Sequence, residues 1–93
     1  MKKYEALFII EPNAASERFD QVKNTISQDL EKYNGTVGET KELGVKTLCY
    51  PIKRFTEGFY FLVEFNIEPN EIMEVRSRFK LNADIIRFLI STV

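Results

Sequence analysis

Residues 59–67 read Phe-Tyr-Phe-Leu-Val-Glu-Phe-Asn-Ile, and every odd position among them is apolar. A strand sends successive side chains to opposite faces, so this alternation demands a strand with one face against a core. The even positions Tyr60, Leu62, Glu64 and Asn66 are mixed in character and face the other way. Such a strand needs neighbours on its edges and a second layer over its apolar face, and the rest of the chain must supply both. With 93 residues, the chain can bury one modest core, which predicts a single domain over 1–93 built in two layers.

The remaining segments supply those parts in order. Residues 2–10, Lys-Lys-Tyr-Glu-Ala-Leu-Phe-Ile-Ile, are rich in strand formers and stop at Glu11-Pro12-Asn13, where Pro12 lacks an amide proton. Ser16 is expected to cap a helix, with Glu17 and Asp20 in its first turn. Phe19, Val22, Ile26, Leu30 and Tyr33 then recur at helical spacing. Asn34-Gly35 closes this helix, with glycine expected in the left-handed position. From Thr36 to Phe55 the pattern is extended but interrupted by Gly38 and Gly44, predicting a long, twisted, bulged strand. Pro51 near its far end places that strand at a sheet edge, and residues 54–58 read as a turn. Pro69 and Asn70 open a second helix whose Ile72, Met73, Val75, Phe79 and Leu81 lie broadly to one side. Arg76, Arg78 and Lys80 fall late in it, where positive charge suits the helix dipole, and residues 85–93 form a last strand.

The order β-α-β-β-α-β with right-handed crossovers leaves one economical arrangement. Strands 1 and 2 run parallel with strand 3 between them, and strands 3 and 4 run parallel around strand 1. The expected class is α+β, a ferredoxin-like split β-α-β sandwich: an antiparallel four-stranded sheet of order 4-1-3-2 with two helices on one face. Alternation assigns Tyr4, Ala6, Phe8 and Ile10 to the core side of strand 1, and Ile86, Phe88 and Ile90 to that of strand 4. Ile85, Arg87, Leu89 and Ser91 are then expected on the open face. That face carries Leu7, Ile9, Tyr60, Leu62 and Leu89, rimmed by Lys3, Glu5, Glu64 and Arg87. Exposed leucines are ordinary singly, but five apolar residues together inside a charged rim make a candidate face for a protein partner.

Signals for catalysis are nearly absent. The chain has no His and one Cys, Cys49, so neither a disulfide nor an ordinary zinc site is expected. There is no Gly-rich phosphate loop, no nucleophile–base pair and no set of convergent polar groups for a small-molecule pocket. Cys49, beside Tyr50 and Pro51, reads as a buried or inert thiol. These features predict no enzyme, no cofactor, no metal and no small-molecule substrate. The charged opening Met1-Lys2-Lys3-Tyr4-Glu5 and the lack of any apolar run near ~20 residues predict a cytoplasmic protein, or the mature form inside an organelle, with no membrane partner.

Net charge is −1, from 13 basic and 14 acidic residues, so composition alone does not suggest nucleic acid. Any RNA contact must be local. The basic clusters are Lys2-Lys3, Lys53-Arg54, Arg76-Arg78-Lys80 and Arg87, and Lys3 and Arg87, on adjacent strands, are expected to approach one another. Gly58-Phe59-Tyr60-Phe61-Leu62 looks superficially like the third-strand signature of an RNA-recognition motif. Glu57 and Tyr60 depart from that signature, and alternation buries Phe59 and Phe61, which it needs exposed for base stacking.

One family gathers these residues. Glu42-Leu43-Gly44-Val45-Lys46-Thr47-Leu48-Cys49-Tyr50-Pro51-Ile52-Lys53 followed by Glu57-Gly58-Phe59-Tyr60, with Lys3-Tyr4-Glu5 and Pro12-Asn13 at matching spacing, resembles the family of the sixth protein of the bacterial-type small ribosomal subunit. The resemblance covers essentially the whole chain. It implies a structural, ribosome-associated role in the subunit platform, binding 16S-type rRNA jointly with the eighteenth protein of the small subunit. Carried over by position, it implies RNA contacts at Lys2, Lys3 and Tyr4, at Tyr50, Lys53 and Arg54, and at Arg87, while Pro51 and Gly44 shape the hairpin. Tyr4 is expected to pack its ring while its hydroxyl meets the RNA backbone. Members of that family often continue past strand 4 into a charged tail, whereas this sequence stops at Val93. The near-neutral charge implies weak affinity for RNA alone, strengthened by association with a basic partner.

Overall fold

A computed structural model describes residues 1–93. The elements are β1 (Lys2–Ile10), α1 (Pro12–Lys32), β2 (Thr36–Ile52), β3 (Phe55–Ile67), a 3-10 turn (Pro69–Glu71), α2 (Ile72–Leu81) and β4 (Ile85–Thr92). The sheet order is β2-β3-β1-β4 with every neighbouring pair antiparallel, which is the expected order read from the other edge. The expected inward residues of β1 and β3 meet Val22, Ile26 and Leu30 of α1 and Val75 and Phe79 of α2 in one buried cluster. Aromatic edges lock the layers together. Phe8 meets Phe79 with ring centroids 4.9 Å apart at 83°, and Phe19 meets Phe61 at 5.1 Å and 82°. Pairs of this geometry add about 0.5–1.5 kcal/mol each beyond their burial.

The ends of α1 differ from expectation. Glu11, not Ser16, is the cap: its two carboxylate oxygens accept from the Asn13 and Ala14 amides, both at 3.0 Å. Pro12 therefore both ends the strand and begins the helix, where its missing donor costs nothing. The Ser16 hydroxyl donates to the Asn13 carbonyl instead. The helix kinks at Arg18 (φ −146°, ψ 39°), so Glu17 and Asp20 lie on either side of a break. Arg18 donates to Asp84 at 2.7 Å, and this hydrogen bond together with the charge of Asp84 holds the guanidinium pKa above its ordinary value. At the other end Asn34, with φ 64°, takes the left-handed position expected for Gly35. The Gly35 amide reaches back to the Leu30 carbonyl and the Asn34 amide to Glu31, the paired bonds of a Schellman closure. Gly35 is required by proximity: a Cβ there would stand 2.9 Å from the Leu30 carbonyl oxygen.

In α2 only Val75 and Phe79 are buried, while Met73 and Leu81 are exposed rather than sharing their side. Positions 72, 75 and 79 make a narrow stripe, and Met73 lies off it by one residue's rotation. Arg78 reaches Asp29 of α1 at 3.3 Å, pairing the one charged residue buried in the protein.

The sheet departs from simple alternation at two places. Ile10 faces Ile85 while Ile9 faces Arg87, so Ile86 is an extra residue in β4. That bulge shifts parity, and Ile85, expected on the open face, is buried in the core at 3% exposure. Phe88 and Ile90 still pack inward as expected. The hairpin between β2 and β3 turns at Lys53-Arg54, with Ile52 facing Phe55, rather than over 54–58. Both turn residues have positive φ, 50° and 73°. This is the backbone of a two-residue hairpin turn that favours Asn-Gly, and a non-glycine residue held there costs on the order of 1–3 kcal/mol.

Two stability outcomes follow from this geometry. At Gly58 an added Cβ would lie 2.2 Å from Ile9 Cγ2, a stiff branched methyl, so Gly58→Ala is expected to destabilise by about 1–3 kcal/mol. Urea denaturation would read this, and an unchanged midpoint would mean that β1 and β3 do not approach this closely. Replacing the turn by Lys53→Asn with Arg54→Gly should raise the melting temperature by several degrees, about 1 kcal/mol or more. A lower melting temperature would show that the turn is not of this type.

Candidate nucleic-acid and protein interface

The open sheet face follows from the register. Leu7 faces Leu62 on one side and Leu89 on the other, and Ile9 likewise faces Tyr60 and Arg87. Two adjoining rows thus bring together all five expected apolar residues. Leu89 is 63% exposed, the others half-buried. The far end of β2 extends this face, since Leu48, Cys49 and Ile52 meet Ile9, Tyr60 and Arg87 around a hollow of about 180 Å³. Leu48 is the buried member of that trio, and Cys49 is exposed rather than buried. Lys46 lies 5.5 Å over the Tyr60 ring. Sequence reading misses the contribution of β2 because its register against β3 slips in three places, which hides alternation there.

The basic residues divide between opposite ends of β1. Arg87 lies across from Ile9, whereas Lys3 lies six residues further along β1 with its carbonyl bonded to the Val93 amide. At the rise of a strand this separates them by about 20 Å, so Lys3 and Arg87 do not form the shared rim expected of them. At the Lys3 end charge is largely compensated. Lys3 pairs with Glu64 at 3.6 Å, the amino terminus pairs with Glu68 at 3.3 Å, and Glu5 stands directly opposite Glu64. Lys2 there is exposed. Tyr4 is buried, its ring stacked 5.7 Å from that of Phe65. No buried side-chain polar atom lacks a partner and none of the protein's hydrogen bonds uses the Tyr4 hydroxyl, so that hydroxyl reaches the surface.

The other end is different. The hairpin tip reaches across the end of β1, and Lys53 joins Arg76 and Lys80 of α2 and Arg87 of β4 around a concavity of about 260 Å³. Its floor is apolar, with Phe79 and Ile86, and no Asp or Glu lines it. None of these four cations forms an ion pair within the protein. Arg54, beside Lys53 at the tip, and Tyr50, 71% exposed, complete the positive and aromatic surface of the hairpin. Arg87 lines this basic concavity, the hollow beside β2 and a second open-face hollow of about 190 Å³ over Leu7, Ile9, Tyr60 and Leu89, so it joins the two surfaces. Arg76 and Lys80 are the residues that sequence reading leaves out of the site. Their spacing of four puts them on one helical face, a signal that the dipole explanation obscures.

No arrangement here resembles a catalytic centre. No group of three or more metal-ligating side chains is gathered in space. Phe61 is 1% exposed and Phe59 packs on Phe19, so neither is available for stacking bases. No helix is long and apolar enough to cross a membrane.

Comparison with known proteins agrees with this architecture. The chain is 34% identical over 91 residues to the small ribosomal subunit protein bS6 of Dictyoglomus turgidum, covering 98% of this chain and 94% of that one. It is 29% identical to bS6 of Helicobacter acinonychis over 97% of its own length but only 63% of that longer relative. The crystal structure of 30S ribosomal protein S6 from Thermotoga maritima superimposes with a TM-score of 0.89 at 25% identity, covering 99% of this chain and 87% of that one. The family model described as Ribosomal protein S6 matches residues 3–92, and the chain belongs to this family of small-subunit ribosomal proteins, which are structural constituents of the ribosome and not enzymes.

Proposed function

We propose that the protein binds 16S-type rRNA together with the eighteenth protein of the small subunit during assembly of the subunit platform. The observation that carries this reading is adjacency: an apolar sheet face and a cluster of unpaired cations meet at Arg87. The apolar face of Leu7, Ile9, Tyr60, Leu62 and Leu89 suits a protein partner, because burying it gains hydrophobic free energy and its polar rim supplies register. The RNA side runs over Tyr50, Lys53, Arg54 and Arg87, with Lys2, Lys3 and the Tyr4 hydroxyl forming a second, weaker contact at the far end of β1. With a net charge of −1, the protein alone has little long-range attraction for a polyanion, and a basic partner would supply it.

Titration onto a platform rRNA fragment, with and without the eighteenth protein at two salt concentrations, tests the reading. Tight, salt-sensitive binding only with the partner is the expected result, and no binding by the folded protein in either case would overturn it. Within a binding-competent complex, Arg87→Glu should weaken RNA affinity by about tenfold or more, roughly 1.4 kcal/mol, and Lys3→Glu by less, since Lys3 is already paired with Glu64. Equal losses would place the two ends on the same footing. Leu89→Asp, at an exposed position, should weaken association with the protein partner while leaving the melting temperature within a few degrees.

A further inference from the structure

We infer that Arg76 and Lys80 of α2, with Lys53 and Arg87, form a phosphate-gripping site for the RNA backbone, and that α2 is thereby a nucleic-acid-contacting element. This inference rests on the RNA-binding reading above and adds to it a helix and a mode of recognition.

Three observations carry it. First, the four cations come from three separate segments, the hairpin tip, α2 and β4, and converge on one concavity of about 260 Å³. Helix-dipole complementation would account for Arg76 and Lys80 alone but not for Lys53 and Arg87 facing them. Second, no carboxylate lines the concavity and none of the four is ion-paired, although the protein carries 14 acidic residues. The neighbouring Arg78, by contrast, is turned away and engaged by Asp29. Gathering like charges without counter-ions opposes folding, so the arrangement suits an external anion better than the folded chain itself. Third, Lys53 is held in a left-handed turn conformation, with φ 50°, that a non-glycine residue adopts at a cost. A concavity offering several cations and no carboxylate acceptors matches the oxygens of one or two phosphates, and its apolar floor gives no handle for reading base edges. Recognition at this site is therefore of backbone shape and charge, without preference for sequence.

The test compares Arg76→Gln/Lys80→Gln with Lys23→Gln/Lys32→Gln, which removes the same charge from α1, in the complex with partner protein and rRNA. Binding is measured over a range of salt concentrations. The α2 double variant should bind roughly tenfold or more weakly at low salt, and its slope of log affinity against log salt should flatten by about 2, one for each phosphate no longer gripped. The α1 control should change neither by a comparable amount. The α2 variant should melt no lower than the parent, because it relieves repulsion. Equal behaviour of the two double variants would overturn the phosphate site and leave the RNA-binding reading intact. If no form binds RNA, that reading fails, and a titration of the protein alone with inorganic pyrophosphate, followed by amide NMR shifts, decides the site by itself. Shifts confined to the neighbourhood of residues 53, 76–80 and 86–87, and abolished in the α2 variant, support it. Absent or scattered shifts sink it.

Discussion

The structure depends on the alternation along β1, the one strand hydrogen-bonded through its length on one edge to β3 and on the other to β4. Phe8 shows how much hangs on it. It lies between Phe61 and Phe88 in a row across the sheet and is capped by Phe79 from α2, while Phe61 is capped by Phe19 from α1. The neighbours Leu7 and Ile9 are sent to the other side by the same pleat and build the open apolar face. Core and open apolar face are thus two readings of one register, and a slip of a single residue would exchange them. The tight approach of Gly58 to Ile9 and the bulge at Ile86 both help to pin that register.

Much of this is legible in the residues because burial on one face leaves a period-two mark. The mark is clean in Phe59–Ile67 and in Tyr4–Ile10, and it carries the layer arrangement and the five apolar residues of the open face, while the element order with right-handed crossovers carries the strand order. It fails where a local event interrupts the period. Alternation puts Ile85 on the wrong face because Ile85 and Ile86 are both apolar, and nothing in that pair marks which of them is the extra residue. Glu11 as a cap is hidden because glutamate is an uncommon cap, and Ser16 offers the usual one. The hairpin turn is displaced because Lys-Arg carries none of the residues that advertise positive φ.

The basic site is only partly legible, for a different reason. Convergence of Lys53, Arg76, Lys80 and Arg87 depends on how far the hairpin tip bends across the end of β1, a tertiary fact with no local signature. Adjacency in strand order suggests that Lys3 and Arg87 would meet, but an antiparallel pair fixes position along the strand as well, and there they stand at opposite ends. The result is a nearly neutral protein whose charge is sorted by place: balanced pairs at the Lys3 end and unbalanced cations at the Arg87 end. Its field near one pole is therefore that of a basic protein, though its total is not.

The pairing of Tyr4 with Thr92 has a consequence for how the molecule comes into being. Of the four strands β1 precedes the rest in the chain yet lies inside the sheet, and one of its two edges stays empty until β4 has been made. Both of its sides carry apolar groups, so a nascent β1 is an adhesive segment awaiting β3 and then β4. Closing a loop that spans all the intervening elements costs on the order of 4 kcal/mol in chain entropy, which the β1–β4 ladder and the burial of Ile85, Phe88 and Ile90 offset. The sheet consequently reaches its final form only once β4 is in place, and the open-face row that joins Leu7 to Leu89 is completed with it.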